Sequence, residues 1–146
     1  MKKIVNMNEA DISNEEYPII GTCALATCFG ILLYEENKRI AIVGHSTADW
    51  VPIVLKMLDL IDDSEMSIFK YLVIPGYYSK IEDVYNTKKK IELFFEMFKT
   101  DKVSFKPYDK EYEEYIIFDE KTCSYEFDFD SRTGKFLLSK NNYIKK

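Results

Sequence analysis

The order of the predicted elements assigns this chain of 146 residues to a mixed α/β domain built in layers. Three observations support the assignment: an apolar hairpin in the first third, two segments with helical periodicity, and a series of short strands at the end. Strands and helices in this order pack as layers around one core. The apolar fraction of 47% and the low counts of Gly (5) and Pro (4) predict one compact domain, residues 1–146, without a flexible linker.

The hairpin is the clearest local unit and joins residues 28–34 to residues 39–45. Both runs are apolar along nearly their whole length, which is typical of strands that are covered on both faces. The link Glu35-Glu36-Asn37-Lys38 is polar and has the length of a hairpin loop. The hairpin therefore predicts a central sheet with a layer on either side.

Two segments after the hairpin have the periodicity of helices. The first helix follows Ser46 or Thr47, either of which can cap it, and tolerates Pro52 near its start. Its inner face has the i, i+3, i+4, i+7 spacing and consists of Val51, Val54, Leu55, Leu58 and Ile61. The second helix spans 81–99, with an inner face made of Val84, Lys88, Ile91, Phe94, Phe95 and Phe98.

Short apolar or alternating runs predict the remaining strands, at 3–6, 19–22, 69–74, 102–108, 115–118, 123–129 and 135–139. The last two strands are linked by residues 130–134, a turn that needs a positive φ at Gly134. Residues 8–16 are predicted to form a polar bend. In 125–129 acidic and aromatic residues alternate, which indicates a strand with one wet face rather than an acidic docking surface.

The charge balance argues against a nucleic-acid partner. Lys and Arg number 20 against 25 Asp and Glu, a net charge of −5 that repels phosphate. No apolar run approaches the ~20 residues of a membrane helix, and no apolar segment of a signal peptide follows Met1-Lys2-Lys3. With three cysteines and no export signal, we expect reduced thiols in a cytoplasm. An effector delivered by a dedicated secretion machine would have the same features.

The strongest candidates for chemistry are Cys28 and His45, the single histidine of the chain. Cys28 begins the first hairpin strand and His45 ends the second, so antiparallel pairing predicts that they are neighbours. A cysteine beside an imidazole can lose its proton and become a thiolate nucleophile. The structural alternatives are a satisfied core histidine and a small buried hydrophobic cysteine.

Other candidate chemistry has weaker support. Cys23 lies beyond the paired strands and is expected to point elsewhere, and Cys123 is interpreted as a core or surface residue of a late strand. One histidine with cysteines at 23 and 28 lacks the spacing of a tetrahedral metal site. There is no Gly-rich phosphate loop and no serine in a nucleophile-elbow context. We therefore expect no metal and no organic cofactor.

The run Thr22-x-x-x-x-Thr27-Cys28, followed after two strands by Gly44-His45, resembles the signature of the CheD family of chemoreceptor glutamine deamidases. The opening segment 1–5, with Met7 and Glu9 just beyond it, is similar to the family's first strand, and residues 124–138 are similar to its closing hairpin. The resemblance implies an α/β sandwich and a cytoplasmic cysteine hydrolase that deamidates a protein glutamine through a thioester. It places the nucleophile on Cys28, the base on His45 and a supporting hydrogen bond on Thr22, with no cofactor.

The chain departs from the family around the expected substrate groove. Ala24 and Ala26 stand where the family usually has glycines, and alanine would be strained there if those glycines adopt positive φ. Trp50 follows the histidine closely, and Tyr77-Tyr78 replaces part of a Gly-rich segment, so these aromatic residues are candidates to line a groove for another protein. Two alternatives stay open: an effector-type deamidase with the Cys-His logic of the cytotoxic necrotizing factors, and a non-catalytic binding module.

Overall fold

The computed structural model describes residues 1–25, 28–76, 81–109 and 122–142, with the backbone alone at 81–85, 122–123 and 140–142. Within these ranges the chain forms β-strands and two helices. In chain order they are β1 (Lys2–Val5), β2 (Ala10–Ile12), β3 (Ile19–Leu25), β4 (Phe29–Glu35), β5 (Ile40–Ser46), α1 (Val51–Asp59), β6 (Ser67–Pro75), α2 (Ile81–Met97), β7 (Val103–Pro107), β8 (Thr122–Asp130) and β9 (Lys135–Asn142).

The strands form two mixed sheets. The smaller sheet has the order β1-β3-β8-β9 and the larger sheet the order β2-β5-β4-β6-β7. The pairs β1/β3 and β6/β7 are parallel, and the other pairs are antiparallel. The fold is therefore an α/β sandwich with mixed, largely antiparallel sheets and two helices, as the sequence predicted.

The larger sheet is the middle layer of three. One apolar cluster lies between this sheet and the helices, and a second lies between the two sheets. Side chains of β4 alternate between them: Ile31 and Leu33 belong to the helix-side cluster and Leu32 to the inter-sheet cluster. All seven residues of β4 are buried, which confirms the prediction that the hairpin is covered on both faces.

Two glycines allow the outer layers to approach the hairpin closely. A Cβ atom on Gly30 would lie 2.7 Å from the Phe127 ring and 2.9 Å from Leu25, both in the smaller sheet. A Cβ atom on Gly44 would lie 2.6 Å from Met57 of α1. Because real Cβ atoms do not come this close, a larger residue at either position would push a layer away from the central sheet.

The first helix differs from its prediction in start and in phase. Ser46 is the last residue of β5, and the residue that precedes the helix is Trp50, which makes no side-chain capping bond. The buried face is Ile53, Val54 and Met57, so Val54 of the predicted stripe is confirmed. Leu58 and Ile61 of that stripe also pack against the helix-side cluster. Val51 and Leu55 of the predicted stripe are 47% and 52% exposed. The phase is set by the contact over Gly44, where Ile53 and Met57 fill the space that a side chain would take.

The other elements follow the predictions more closely. The second helix buries Ile91 and Phe95, and Gly134 has the positive φ of 73° that its turn needs. Along β8 Tyr125, Phe127 and Phe129 are buried between partly exposed acidic residues, which confirms the strand with one wet face.

Three predicted features need comment. Strand β2 lies inside the predicted polar bend 8–16. The sequence did not indicate this strand, because its three partly buried residues at a sheet edge show no clear apolar pattern. The predicted strand 115–118 and the Val84 side chain lie outside the described residues. In the described part of the chain, neither helix combines the length and the apolar character needed to cross a bilayer.

Candidate active site

His45 and Cys28 lie on one face of the hairpin, next to the smaller sheet. In the antiparallel register Gly30 is directly opposite His45. Cys28 precedes Gly30 by two positions, so it is the diagonal neighbour of His45, at a typical Cα separation of about 7–8 Å. Cys28 packs with Leu32 and Val43 in the inter-sheet cluster, which shows that it faces the smaller sheet. The hairpin thus places both residues on the same face. Cys28 lies directly before β4 rather than at its first position, and His45 is one residue before the end of β5.

Thr22 reaches His45 from the other sheet. It lies on β3, it is only 3% exposed, and its Oγ1 atom is 2.7 Å from Nδ1 of His45. The close approach at Gly30 brings the two sheets near enough for this contact. The hydrogen bond between Thr22 and the imidazole that the family resemblance implied is therefore present.

A second bond of Thr22 determines which nitrogen of His45 carries the proton. The Thr22 hydroxyl donates its single proton to the backbone oxygen of Val5 at 2.6 Å. Its oxygen must then accept the proton of Nδ1, because two groups without a hydrogen between them do not attract. The neutral ring is therefore protonated at Nδ1, and Nε2 carries a lone pair.

That lone pair is buried without a partner. The imidazole is 3% exposed, and Nε2 has no hydrogen-bond partner among the residues that the structure describes. Burial lowers the pKa of His45 below its ordinary value of about 6.5. At neutral pH the ring is uncharged and its free nitrogen can accept a proton, as a general base must. Buried polar atoms are usually satisfied, so an unpaired one beside a cysteine marks a candidate site.

The thiol of Cys28 does not point its proton at that nitrogen. Cys28 is 5% exposed, and its Sγ atom donates to Sδ of Met7 at 3.8 Å. Met7 comes from the turn between β1 and β2. The family resemblance included Met7 but gave it no role at the site, since only the fold brings this turn to the hairpin. In this resting arrangement Thr22 and His45 are in contact and Cys28 is turned to Met7.

Backbone hydrogen bonds hold the surroundings of the site in place. The amide of Gly76, after β6, donates to the backbone oxygen of Cys28 at 2.8 Å. The amide of Asn8 donates to the backbone oxygen of His45 at 2.8 Å, and the amide of His45 donates to Glu9 at 3.0 Å. The backbone of the candidate base is therefore held by hydrogen bonds at both its amide and its carbonyl group.

Backbone strain lies next to the site at Ala24. Its φ of 58° is in the left-handed region, where an L-residue other than glycine costs about 1–2 kcal/mol. The register between β3 and β8 shifts between Thr22 and Leu25, so Ala24 lies in an irregularity of the strand. The expectation that alanine is strained at this position is confirmed.

The other sequence candidates lie away from this arrangement. Cys23 is exposed, whereas its neighbour Thr22 is buried. Trp50 is partly buried against the helix-side core and meets Phe94 edge to face at 5.8 Å, so it does not line a groove at the site. Residues 26–27 and 77–78 and the Cys123 side chain lie outside the described residues. In the described ranges, no three His, Cys, Asp or Glu residues are grouped as a metal site would need.

No protein-family model and no curated protein sequence matches the chain.

Proposed function

We propose that the chain is a cytoplasmic cysteine hydrolase that deamidates glutamine side chains of a protein substrate. Cys28 is the nucleophile, His45 the base and Thr22 the residue that orients His45. The observation that carries the proposal is the 2.7 Å contact between Thr22 Oγ1 and His45 Nδ1. It leaves Nε2 as a buried acceptor without a partner among the described residues, on the strand that pairs with β4, and β4 begins directly after Cys28. The resemblance to the CheD family assigns the same roles to the same residues.

The first half of the reaction forms a thioester. The thiol proton moves from Sγ of Cys28 to Nε2 of His45, and the thiolate attacks the amide carbon of the glutamine. The imidazolium then returns the proton to the amide nitrogen, the carbon–nitrogen bond breaks and ammonia leaves. Backbone N–H groups near Cys28 would stabilise the oxyanion, an effect of about 3 kcal/mol per donor.

The second half consumes water. Nε2 of His45 accepts a proton from a water molecule, whose oxygen attacks the acyl carbon of the thioester. The carbon–sulfur bond breaks, Nε2 returns the proton to sulfur and restores the thiol of Cys28, and the product is a glutamate side chain. Thr22 does not change protonation in either half; its oxygen holds the Nδ1 proton and so keeps Nε2 as the acceptor.

An uncharged resting imidazole is compatible with this scheme. Burial disfavours the imidazolium, and the thiol has to turn from Met7 to Nε2 before it can transfer its proton. Ester hydrolysis and transglutamination are alternative reactions that pass through the same acyl-thioester. The protein substrate is either a chemoreceptor or, for an effector-type deamidase, another target protein.

A non-catalytic binding module is the second candidate. It is favoured by the covered thiol, which is 5% exposed and turned to Met7, and by alanine at the strained position 24. A module of this kind would keep the fold and its binding surface without turnover.

The test is ammonia release from cytoplasmic chemoreceptor fragments, with mass spectrometry of their glutamine-containing peptides. We expect amide-to-acid conversion by the wild type and none by Cys28→Ala or His45→Gln. Cys23→Ala is the matched control, since it removes an exposed thiol on the neighbouring strand and should keep full activity. Conversion that persists in Cys28→Ala would refute the assignment of the nucleophile. No conversion by the wild type, together with a Cys28 that resists iodoacetamide even in Met7→Ala, would favour the binding module.

A further inference from the structure

Met7 covers the candidate nucleophile. Its side chain is 57% exposed, whereas Cys28 beneath it is 5% exposed. Sδ of Met7 lies 3.8 Å from Sγ of Cys28. Met7 is thus a solvent-facing neighbour of a thiol that is otherwise enclosed.

The backbone that carries Met7 is held on both sides. The oxygen of Val5 accepts the Thr22 hydroxyl at 2.6 Å, and the amide of Asn8 donates to the backbone oxygen of His45 at 2.8 Å. The oxygen of Asn8 also accepts from Lys56 at 3.1 Å. A bulky reactant therefore finds a fixed main chain, and the group that can move is the unbranched methionine side chain with its three rotatable bonds.

The position of the thioether has a chemical meaning. Methionine and glutamine are both unbranched up to the δ position, so Sδ of methionine corresponds to the amide carbon Cδ of glutamine. A nucleophile in a productive complex lies about 3–3.5 Å from the carbon it attacks. Sδ of Met7 is 3.8 Å from Sγ of Cys28, close to where that carbon would have to be.

We propose that the Met7 side chain occupies the slot of the substrate's glutamine and acts as an internal stand-in for it. The inference rests on the proposed function and names the residue that determines which side chains reach Cys28. A substrate displaces Met7, takes its place with an unbranched carboxamide chain, and frees the thiol to turn to Nε2 of His45.

The first experiment converts the stand-in into a substrate. In purified Met7→Gln the amide carbon lies beside Sγ of Cys28, and we expect conversion of that glutamine to glutamate with release of ammonia. Water supplies the oxygen, and peptide mass spectrometry measures the extent. Met66→Gln is the matched control, because Met66 is exposed and lies far from the site. It precedes β6, whereas Gly76, which contacts Cys28, follows the other end of that strand. Met7→Gln combined with Cys28→Ala should stay unconverted.

The second experiment measures access without turnover. A cover that is open about a tenth of the time slows access about tenfold, so Met7→Ala should accelerate alkylation of Cys28 by iodoacetamide by about that factor. Met7→Leu keeps the bulk and should leave the rate within about twofold of the wild type. Peptide mapping separates Cys28 from the exposed Cys23, whose rate should not change in either variant.

Each outcome has one meaning. Cys28-dependent conversion of Met7→Gln, with Met66→Gln unchanged, supports both the slot and the deamidase. Faster alkylation in Met7→Ala with an unconverted Met7→Gln supports Met7 as the cover of Cys28 and refutes its role as a stand-in for the substrate glutamine. The deamidase itself is then decided by the receptor-fragment assay, in which conversion by the wild type but not by Cys28→Ala would keep the proposed function. Three results would overturn the inference. The first is an unchanged rate of Cys28 alkylation in Met7→Ala, the second is an equal acceleration in Met7→Leu, and the third is an acceleration of Cys23 alkylation as well.

Discussion

Replacing Thr22 by Val tests whether the hydroxyl organises the site. Valine keeps the branched shape and removes the oxygen, which takes part in two buried hydrogen bonds of 2.6 Å and 2.7 Å. Each bond contributes about 1 kcal/mol net. Because Thr22 is only 3% exposed, water does not readily replace the lost partner of Nδ1, which adds to the cost. We expect the free energy of unfolding to fall by about 2–3 kcal/mol.

Two measurements follow the effect of Thr22→Val. Urea denaturation gives the change in the free energy of unfolding, at an unchanged slope if the fold is kept. Nitrogen-15 spectra of labelled histidine report on one imidazole, since the chain has a single histidine. We expect the wild type to be protonated at Nδ1, and Thr22→Val to lose this preference because nothing then accepts that proton.

Thr22→Ser is the matched control, since it keeps the hydroxyl and removes one methyl group. It should retain the Nδ1–H tautomer and cost about 1 kcal/mol for the lost methyl burial. If Thr22→Val is as stable as the wild type within about 0.5 kcal/mol and keeps Nδ1 protonated, the Thr22 hydroxyl does not orient His45, and its assignment as the orienting residue is wrong.

Two further predictions concern stability. Because burial lowers the pKa of His45, the unfolded chain binds a proton that the folded chain lacks in the window between the lowered pKa and about 6.5. The free energy of unfolding should therefore fall as pH drops below about 6.5, by at most ~1.4 kcal/mol per pH unit, and this dependence should be missing from urea titrations of His45→Gln; equal pH dependence in both proteins would contradict it. Ala24→Gly should raise the free energy of unfolding by roughly 0.5–1 kcal/mol, since it removes the cost of a positive φ and adds the entropy of glycine. Ala48→Gly, at an exposed position without positive φ, should not stabilise the fold, and a gain there equal to that at Ala24 would refute the strain argument.

Much of the scaffold could be predicted because short-range patterns encode it. The apolar runs on either side of 35–38 predicted a hairpin covered on both faces, and the structure pairs Phe29 with Ser46 and Gly30 with His45. Alternation in β8 and the glycine at 134 were equally readable, since they depend on neighbouring residues alone. The phase of α1 was not readable, because Ile53 and Met57 face inward only on account of the space over Gly44.

The sequence by itself determined the layered α/β class, the hairpin, and the placement of Cys28 and His45 at the same end of that hairpin. Only the tertiary structure decided what surrounds them. Thr22 lies 2.7 Å from the imidazole, Nε2 has no partner among the described residues, and Met7 contacts the thiol. The reason is physical. Strand periodicity and hairpin pairing act over a few residues, whereas these contacts join different sheets and a distant turn. Which such contacts form depends on how closely the layers pack, and packing is a property of the whole fold.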